Sequence, residues 1–307
     1  MEKKNDWRAW LYLAPVIILL SVFTFYPLIS TIVIAFTSDY KYLTQSGSGF
    51  DISNFAEIFA SKQVDNGDGT FSTVYSDVVK YAIPNTLIIV FVTVPLSIIV
   101  SLMIAVGLNS IKAFKKIFQT IFFMPYVTNA IAVGMVFAVI FNDNGLWNYV
   151  FRSMGTHWID QGAPASKAMV ALCIYSVWHA LPYKILIFLS GLQNIDKQYY
   201  QAASVDAAGK FKTFMNVTVP LLSPQILYIM ITSFIGSFKE YSSIVGLFGG
   251  PGTLKNYRNM YTVVYYIYDS IAAKQVQVGC AAAVMLFIVI LIFTGIQFIV
   301  SSKRVHY

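Results

Sequence analysis

Charged side chains are scarce in this 307-residue chain: Asp, Glu, Lys and Arg make up 11% of it, while 57% is hydrophobic. Ordinary soluble domains carry roughly one-quarter charged residues, so this composition cannot cover a normal water-facing surface. The chain reads as a membrane protein, and its formal charge of +7 says little about nucleic acid. Cysteine is nearly absent. Cys173 and Cys280 each lie inside an apolar segment, which fits two small buried hydrophobes and excludes a disulfide or metal framework. Of three histidines, only His179 falls in an apolar segment, with His157 in a polar stretch and His306 near the end. That leaves neither a nucleophile–base pair nor a metal spacing for an intramembrane enzyme. The phosphate-cradling pattern G-x-x-x-x-G-K-[ST] is missing too. Its nearest approach, Gly209-Lys210-Phe211, lacks the leading glycine and the hydroxyl, so nucleotide is not expected to bind here.

What is present is a set of long apolar runs. A helix needs about 20 such residues to cross the hydrocarbon, because every backbone polar group has to be satisfied within the segment. Six segments qualify or nearly so: 10–36, 82–108, 117–141, 168–192, 224–247 and 276–302. Lys3, Lys4 and Arg8 precede the first, but the next charge is Asp39 and no small-residue cleavage pattern closes a short core. It reads as a retained anchor. Lys184 interrupts the fourth segment and the pair Lys239 and Glu240 the fifth; the other four carry no charge. The expected fold is therefore an all-α membrane protein of six transmembrane helices, one domain over 1–307.

With six spans both termini share a side. That side holds eleven Lys and Arg with four acids, against eight and nine in the opposite loops. The basic excess is strongest in short loops, which places both termini in the cytoplasm. The outer loops carry turn residues at 66–69 and 249–252. Residues 39–80 suffice for a small external layer packed by Phe50, Phe55, Ile58, Phe59 and Phe71, but not for a separate domain.

The loop at 193–223 is patterned. Asp196 can cap a helix whose interior holds Ala202, Ala203, Val205, Ala207 and Ala208, and Gly209 is placed to end it. Phe211, Phe214 and Val217 form a second apolar stripe before Pro220 and Pro224. Small side chains on a short cytoplasmic helix permit close approach by another protein.

Polar residues inside spans each cost free energy unless partnered, and three clusters stand out. They are Tyr126, Thr128 and Asn129; Ser176, Trp178, His179, Tyr183 and Lys184; and Ser233, Ser237, Lys239 and Glu240. Serines at such positions also serve plain helix–helix contacts. A midspan imidazole can bond a carbonyl, and Lys184 is expected to snorkel to an interface. Lys239 and Glu240, about 100° apart on a helix, do not face each other. Tyr126, Asn129, Ser176, His179, Tyr183, Ser233, Ser237, Lys239 and Glu240 are the expected solute-binding set.

The 193–223 loop resembles the EAA loop of ATP-binding-cassette import permeases: an EAA triplet, an Asp-Gly pair and a later Val-Pro. Ala202, Ala203, Asp206, Gly209, Val219 and Pro220 match it, while Gln201 and Ala207 depart from it, standing where the family usually has Glu and Gly. The rest is similar to the sugar branch of that family, typified by the maltose and glycerol-phosphate importers. Leu13-Ala14-Pro15 and Phe25-Tyr26-Pro27 carry the likeness, as do Met124-Pro125-Tyr126, Gly145-Leu146-Trp147-Asn148 and Leu247-Phe248-Gly249-Gly250-Pro251-Gly252.

The resemblance implies a non-catalytic subunit of a multi-pass importer in the cell membrane, with a coupling helix between the fourth and fifth spans. Its implied partners are a second related permease, two cytoplasmic ATP-binding subunits and an external solute-binding protein. ATP and magnesium would sit in those ATP-binding subunits, and no cofactor in this chain. The positions matching the sugar-binding residues are Tyr126, Ala130, Ser176, His179, Ala180, Tyr183, Ser233, Gly236 and Ser237. Gln201, Ala202, Ala203, Asp206, Ala207 and Gly209 would couple to the ATPase, and Lys239 and Glu240 would line the cavity or the permease seam. An importer for an amino acid, polyamine or glycerol-phosphate ester stays open as an alternative. A self-powered carrier fits poorly, since no span shows a matched inverted half.

Overall fold

The computed structural model describes residues 6–44, 46–65, 71–74, 76–111, 115–151, 156–160, 162–250 and 260–302. The turn residues 66–69, Pro251, Gly252 and His306 lie outside this set, as does the Phe71 side chain. The chain divides into two compact units, Met1–Ser76 with Tyr266–Phe287, and Asp77–Tyr265 with Ile288–Tyr307.

In the first unit, α1 (Asp6–Leu20) runs through a π turn at Ser21–Phe25 into α2 (Tyr26–Ala35). The chain then forms a bulged antiparallel hairpin, β1 (Thr37–Lys41) with β2 (Ser46–Phe50), followed by α3 (Ser53–Phe59). A second hairpin pairs β3 (Lys62–Asp65) with β4 (Phe71–Val74). The expected outer layer packs through Phe36, which stacks on Phe50 at 5.4 Å and meets Phe55 at 4.9 Å, while Ile58 is fully buried. Phe50 nevertheless keeps 74% of its surface exposed and Phe59 43%, so the layer is only partly closed. The Asn54 amide donates to the carbonyls of Ala35 (3.0 Å) and Thr37 (3.1 Å), satisfying acceptors that a helix end leaves open.

The second unit is built on two long helices. Residues Val78–Ser110 form one span, containing α4 (Ile83–Ile88) and α5 (Val94–Ser110) joined by π turns. α6 (Lys115–Phe123) leads to a 3-10 turn at Met124–Val127; α7 (Ala130–Phe141) and α8 (Leu146–Val150) come next. α9 (Ala165–Asn194) is a 30-residue helix with Pro182 inside it. Then come α10 (Lys197–Val205), α11 (Lys210–Thr213), α12 (Val219–Leu221), α13 (Ser223–Phe238) and α14 (Ser242–Phe248). α15 (Val263–Ala272) and α16 (Val276–Ser302) complete the chain and divide between the units, with Tyr266–Phe287 belonging to the first. Among the described residues, five helices are long and apolar enough to cross a membrane, and a sixth crossing exists if Lys210–Leu221 and Ser223–Phe238, bent by 68°, count as one.

The core of this unit joins Ala105 and Leu108 of α5 to Ile185, Phe188, Leu189 and Leu192 of α9 and Ile229 of α13. Small buried residues on α5, Ser97, Ser101 and Ala105, let α9 approach closely. α7 and α14 meet backbone to backbone: a Cβ on Gly134 would stand 2.7 Å from the Gly246 Cα, and one on Gly246 2.8 Å from the Gly134 Cα. Beyond α7 a polar loop is tied by Asp160, which accepts from the Asn142 amide (3.1 Å) and the Asp143 N–H (2.8 Å); His157 pairs with Asp143 at 2.7 Å. Burial pushes the Asp160 carboxyl above its ordinary range; the Asp143 N–H opposes that push and the Asp143 carboxyl reinforces it.

Two expected spans are broken. The segment 117–141 is not one helix: Pro125 has no N–H to offer, the chain tightens into the 3-10 turn, and Asn129 restarts the helix as its cap. The segment 224–247 also stops early, at Phe238. Lys239 and Glu240 therefore lie in the joint between α13 and α14, not a fixed 100° apart on a helix. Here the Glu240 Oε1 accepts from the Ser243 N–H at 2.9 Å, satisfying one of the open donors in the first turn of α14.

The 193–223 loop begins as expected, with the Asp196 carboxylate accepting from the Gln198 N–H at 2.9 Å. Its end differs. Ala207, at φ 51°, turns the chain into the left-handed region, its N–H bonds the Ser204 carbonyl (3.1 Å) and the Ala208 N–H that of Ala203 (2.9 Å). This is a Schellman stop with alanine where glycine is usual, and Gly209, extended at φ −64° and ψ 158°, precedes α11 instead. Since an L side chain in this conformation costs roughly 1 kcal/mol, Ala207→Gly should stabilise the elbow by about that amount. Thermal unfolding of the purified protein checks this; an unchanged or lowered midpoint would contradict the assignment.

Candidate functional site

α9 places Ser176, His179, Ala180, Tyr183 and Lys184 at spacings of three and four, a single stripe along one face. α13 and its C-terminal joint supply Thr232, Ser233, Gly236, Ser237 and Glu240, and the second span adds Thr93 and Ser97 one turn apart. Tyr126, set off from its helix by the turn at Pro125, faces them. Together these residues line a cavity of about 380 Å³.

One wall is aromatic. The rings of Tyr126 and Tyr183 stack at 5.7 Å with 16° between their planes, Phe123 adjoins Tyr126 at 5.5 Å, and the Tyr183 hydroxyl bonds that of Tyr228 at 2.9 Å. Tyr126, in the cavity lining, is half exposed; Tyr228 is too, but lies outside the lining. Deeper in, Tyr175 donates to the Ala130 carbonyl (2.5 Å) and sets its ring 5.8 Å from that of His179. The Thr93 hydroxyl bonds the Ile89 carbonyl at 2.7 Å and the Ser97 hydroxyl the Val94 carbonyl at 2.9 Å. Ser97 also accepts from the Lys184 ammonium. The Ser176 hydroxyl is buried and has no hydrogen-bond partner. An unpaired buried hydroxyl, two stacked phenols, an imidazole and both signs of charge suit a solute rich in hydroxyl groups.

Of the expected solute-binding set, Tyr126, Ser176, His179, Tyr183, Ser233, Ser237 and Glu240 come together here. Asn129 does not. Its side-chain oxygen accepts from the N–H groups of Ile131 (2.9 Å) and Ala132 (3.3 Å), a helix cap. Lys239 is exposed at the end of α13 and is not part of the lining. Lys184 does not snorkel: it is only 4% exposed, because α9 turns that face toward Ser97. Thr93, Ser97 and Thr232 join the lining from outside the expected set. For the first two the sequence does hold a signal, the run Thr86, Thr93, Ser97 and Ser101, spaced seven, four and four, a polar stripe in an otherwise apolar span.

On the elbow, Gln201, Ala202, Asp206 and Ala207 are exposed, whereas Ala203 is buried within the chain. α10 lies against the π turn at Phe214–Thr218, with the Tyr200 hydroxyl 3.3 Å from the Thr218 Oγ1. Phe211 and Val205 project into the open, at 77% and 87% exposure, but Phe214 and Val217 are half-buried and do not extend that stripe.

The model for the binding-protein-dependent transport system inner membrane component family matches residues 97–306. The arabinooligosaccharides transport system permease protein AraP of Bacillus subtilis (strain 168) is 30% identical, across 98% of this chain and 93% of its own length. The lactose transport system permease protein LacF of Rhizobium radiobacter is 28% identical, across 99% and 97%. The sn-glycerol-3-phosphate transport system permease protein UgpA of Agrobacterium fabrum (strain C58 / ATCC 33970) is also 28% identical, across 99% and 97%. Two solved structures share the fold. One is a bacterial ABC transporter involved in import of the acidic polysaccharide alginate, with TM-score 0.76, 19% identity, and 99% of this chain and 98% of that one covered. The other is a bacterial alginate ABC transporter in complex with an alginate pentasaccharide-bound periplasmic protein, with TM-score 0.74, 18% identity and coverage of 96% and 93%.

Proposed function

The chain belongs to the family of binding-protein-dependent transport system inner membrane components, and from that premise we propose that its Tyr126–Tyr183 cavity passes a sugar or oligosaccharide across the membrane. The observation that carries the reading is the convergence of polar residues from several spans, beside a stacked tyrosine pair, on one cavity in an otherwise apolar unit. Sugar-transport relatives of nearly full length support the choice of solute. A glycerol-phosphate ester is the second reading, supported by the UgpA relative. The stacked phenols favour the sugar, whose ring faces pack on aromatic planes.

In this reading the chain is a non-catalytic subunit working with a second, homologous permease, two ATP-binding subunits that hold ATP and magnesium, and an external solute-binding protein. Both termini lie in the cytoplasm. The exposed Gln201, Ala202, Asp206 and Ala207 meet the ATP-binding subunit, while Ala203 and Gly209 shape the elbow that presents them. Closure of the ATP-binding subunits moves the elbow, and the bundle changes between two states that differ in access to the cavity.

The test is Tyr126→Ala in the reconstituted complex. Transport, and the ATP hydrolysis that solute stimulates, should each fall about tenfold through loss of one ring contact, with basal hydrolysis kept. Full transport by this variant would remove the cavity from the pathway, and failure of any ATP-binding subunit to co-purify with the chain would overturn the importer reading itself.

A further inference from the structure

Lys184 is the most deeply buried charge on the cavity wall, only 4% exposed. A buried ammonium normally sits beside a carboxylate, because the cost of removing it from water is otherwise uncompensated. Its hydrogen bond here goes to the neutral Ser97 hydroxyl, and among the described residues the one ion pair is that of His157 with Asp143. Glu240 lines the same cavity but is occupied differently: its Oε1 holds the Ser243 N–H, and no ion pair joins it to Lys184. The carboxylate is thus provided for by backbone and the ammonium is not. The unpartnered Ser176 hydroxyl lies on the same helix stripe, two turns from Lys184, so the wall offers a cation and a hydrogen-bonding group toward the same space.

We propose that Lys184 selects an anionic carbohydrate, a sugar carrying a carboxylate, and that the solute itself supplies the missing counter-charge. This deepens the cavity reading above and rests on it. Lys184 donates to the carboxylate while Tyr126 and Tyr183 pack on the ring, and a neutral sugar of equal size leaves the ammonium uncompensated.

The experiment uses the complete complex, purified with its partner permease and ATP-binding subunits. It is titrated with a panel of uronic-acid oligosaccharides, each matched to its carboxyl-reduced neutral counterpart, with binding followed by thermal midpoint and tryptophan fluorescence. The acidic members should bind at least tenfold more tightly than their neutral partners. Lys184→Gln should weaken the acidic members by roughly 10- to 100-fold, the range for a hydrogen bond to a charged group, without weakening the neutral ones to a like extent; Lys184→Arg should keep the preference. Equal or tighter binding of the neutral members, no binding by any acidic member, or a preference that survives Lys184→Gln would each overturn the proposal. The first comparison needs no variant, so it stands even where Lys184→Gln fails to assemble. Tyr126→Ala in the same titration separates the two readings. If it weakens acidic and neutral members alike while Lys184→Gln touches neither, the cavity stands and only its charge preference falls. If it weakens none that bind, the cavity reading falls as well.

Discussion

Gly134→Val is expected to leave almost no assembled protein. Gly134 and Gly246 bring α7 and α14 into backbone contact, and the Cβ that valine adds would lie 2.7 Å from the Gly246 Cα and 3.1 Å from its carbonyl carbon. A flexible side chain can swing away from such a clash, but a helix backbone cannot. Overpacking a close-packed site costs roughly 1–3 kcal/mol when side chains can adjust, so the penalty here falls at the top of that range or beyond it. Membrane helices associate largely through close packing, which leaves little to offset the loss. Yield of monodisperse complex measures it. Gly107→Val is the control, because a Cβ there meets nothing within 4 Å and should be tolerated. Equal yields from the two variants would show that the α7–α14 contact does not carry the fold.

The second large effect belongs to the double variant His179→Leu with Ser237→Leu. Both residues line the cavity, one from α9 and one from α13. Leucine removes two hydrogen-bonding groups and adds bulk to a space of about 380 Å³. Two lost contacts of about 1 to 1.5 kcal/mol each amount to roughly a 100-fold fall in transport, with the filled volume adding to it. Under the proposed function, solute-stimulated ATP hydrolysis should fall in parallel while basal hydrolysis persists, since both substitutions lie away from the 193–223 loop. Unchanged values for both would take these residues out of the site.

The positions of the apolar helices are legible in the sequence because hydropathy reports what backbone buried in lipid demands. Their interruptions are harder to read. Pro125 signals a kink, but whether the helix bends or restarts depends on the residues after it, and here Asn129 supplies a cap. Sequence alone points to Gly209 as the stop after α10, because glycine is the usual left-handed residue, yet Ala207 takes that conformation, held by two hydrogen bonds. Only the backbone pattern reveals it.

The cavity is legible on α9, where polar residues recur along one face. Lys184 belongs to that stripe, one turn beyond Ala180, but a long side chain suits a buried or a snorkelling position equally well in sequence. What decides it is the small Ser97 on the facing helix, which leaves room for the ammonium. Asn129 and Lys239 fall outside the cavity for a shared reason. Composition marks polar residues inside a span, whereas helix ends created by breaks draw polar side chains to themselves, as a cap at Asn129 and as an exposed terminus at Lys239.

The length of α9 has a mechanical consequence. Thirty helical residues make a rod of about 45 Å, and its last residue, Asn194, is two positions from the Asp196 that caps α10. A force applied at the Asn194 end therefore reaches Tyr183 and Lys184 along a single stiff member without crossing a loop. Pro182 leaves the Trp178 carbonyl without its usual helical donor, so the softest point of the rod lies between His179 and Tyr183. Ser176 and His179 precede that point and Tyr183 and Lys184 follow it, so flexing there would change the shape of the cavity they line.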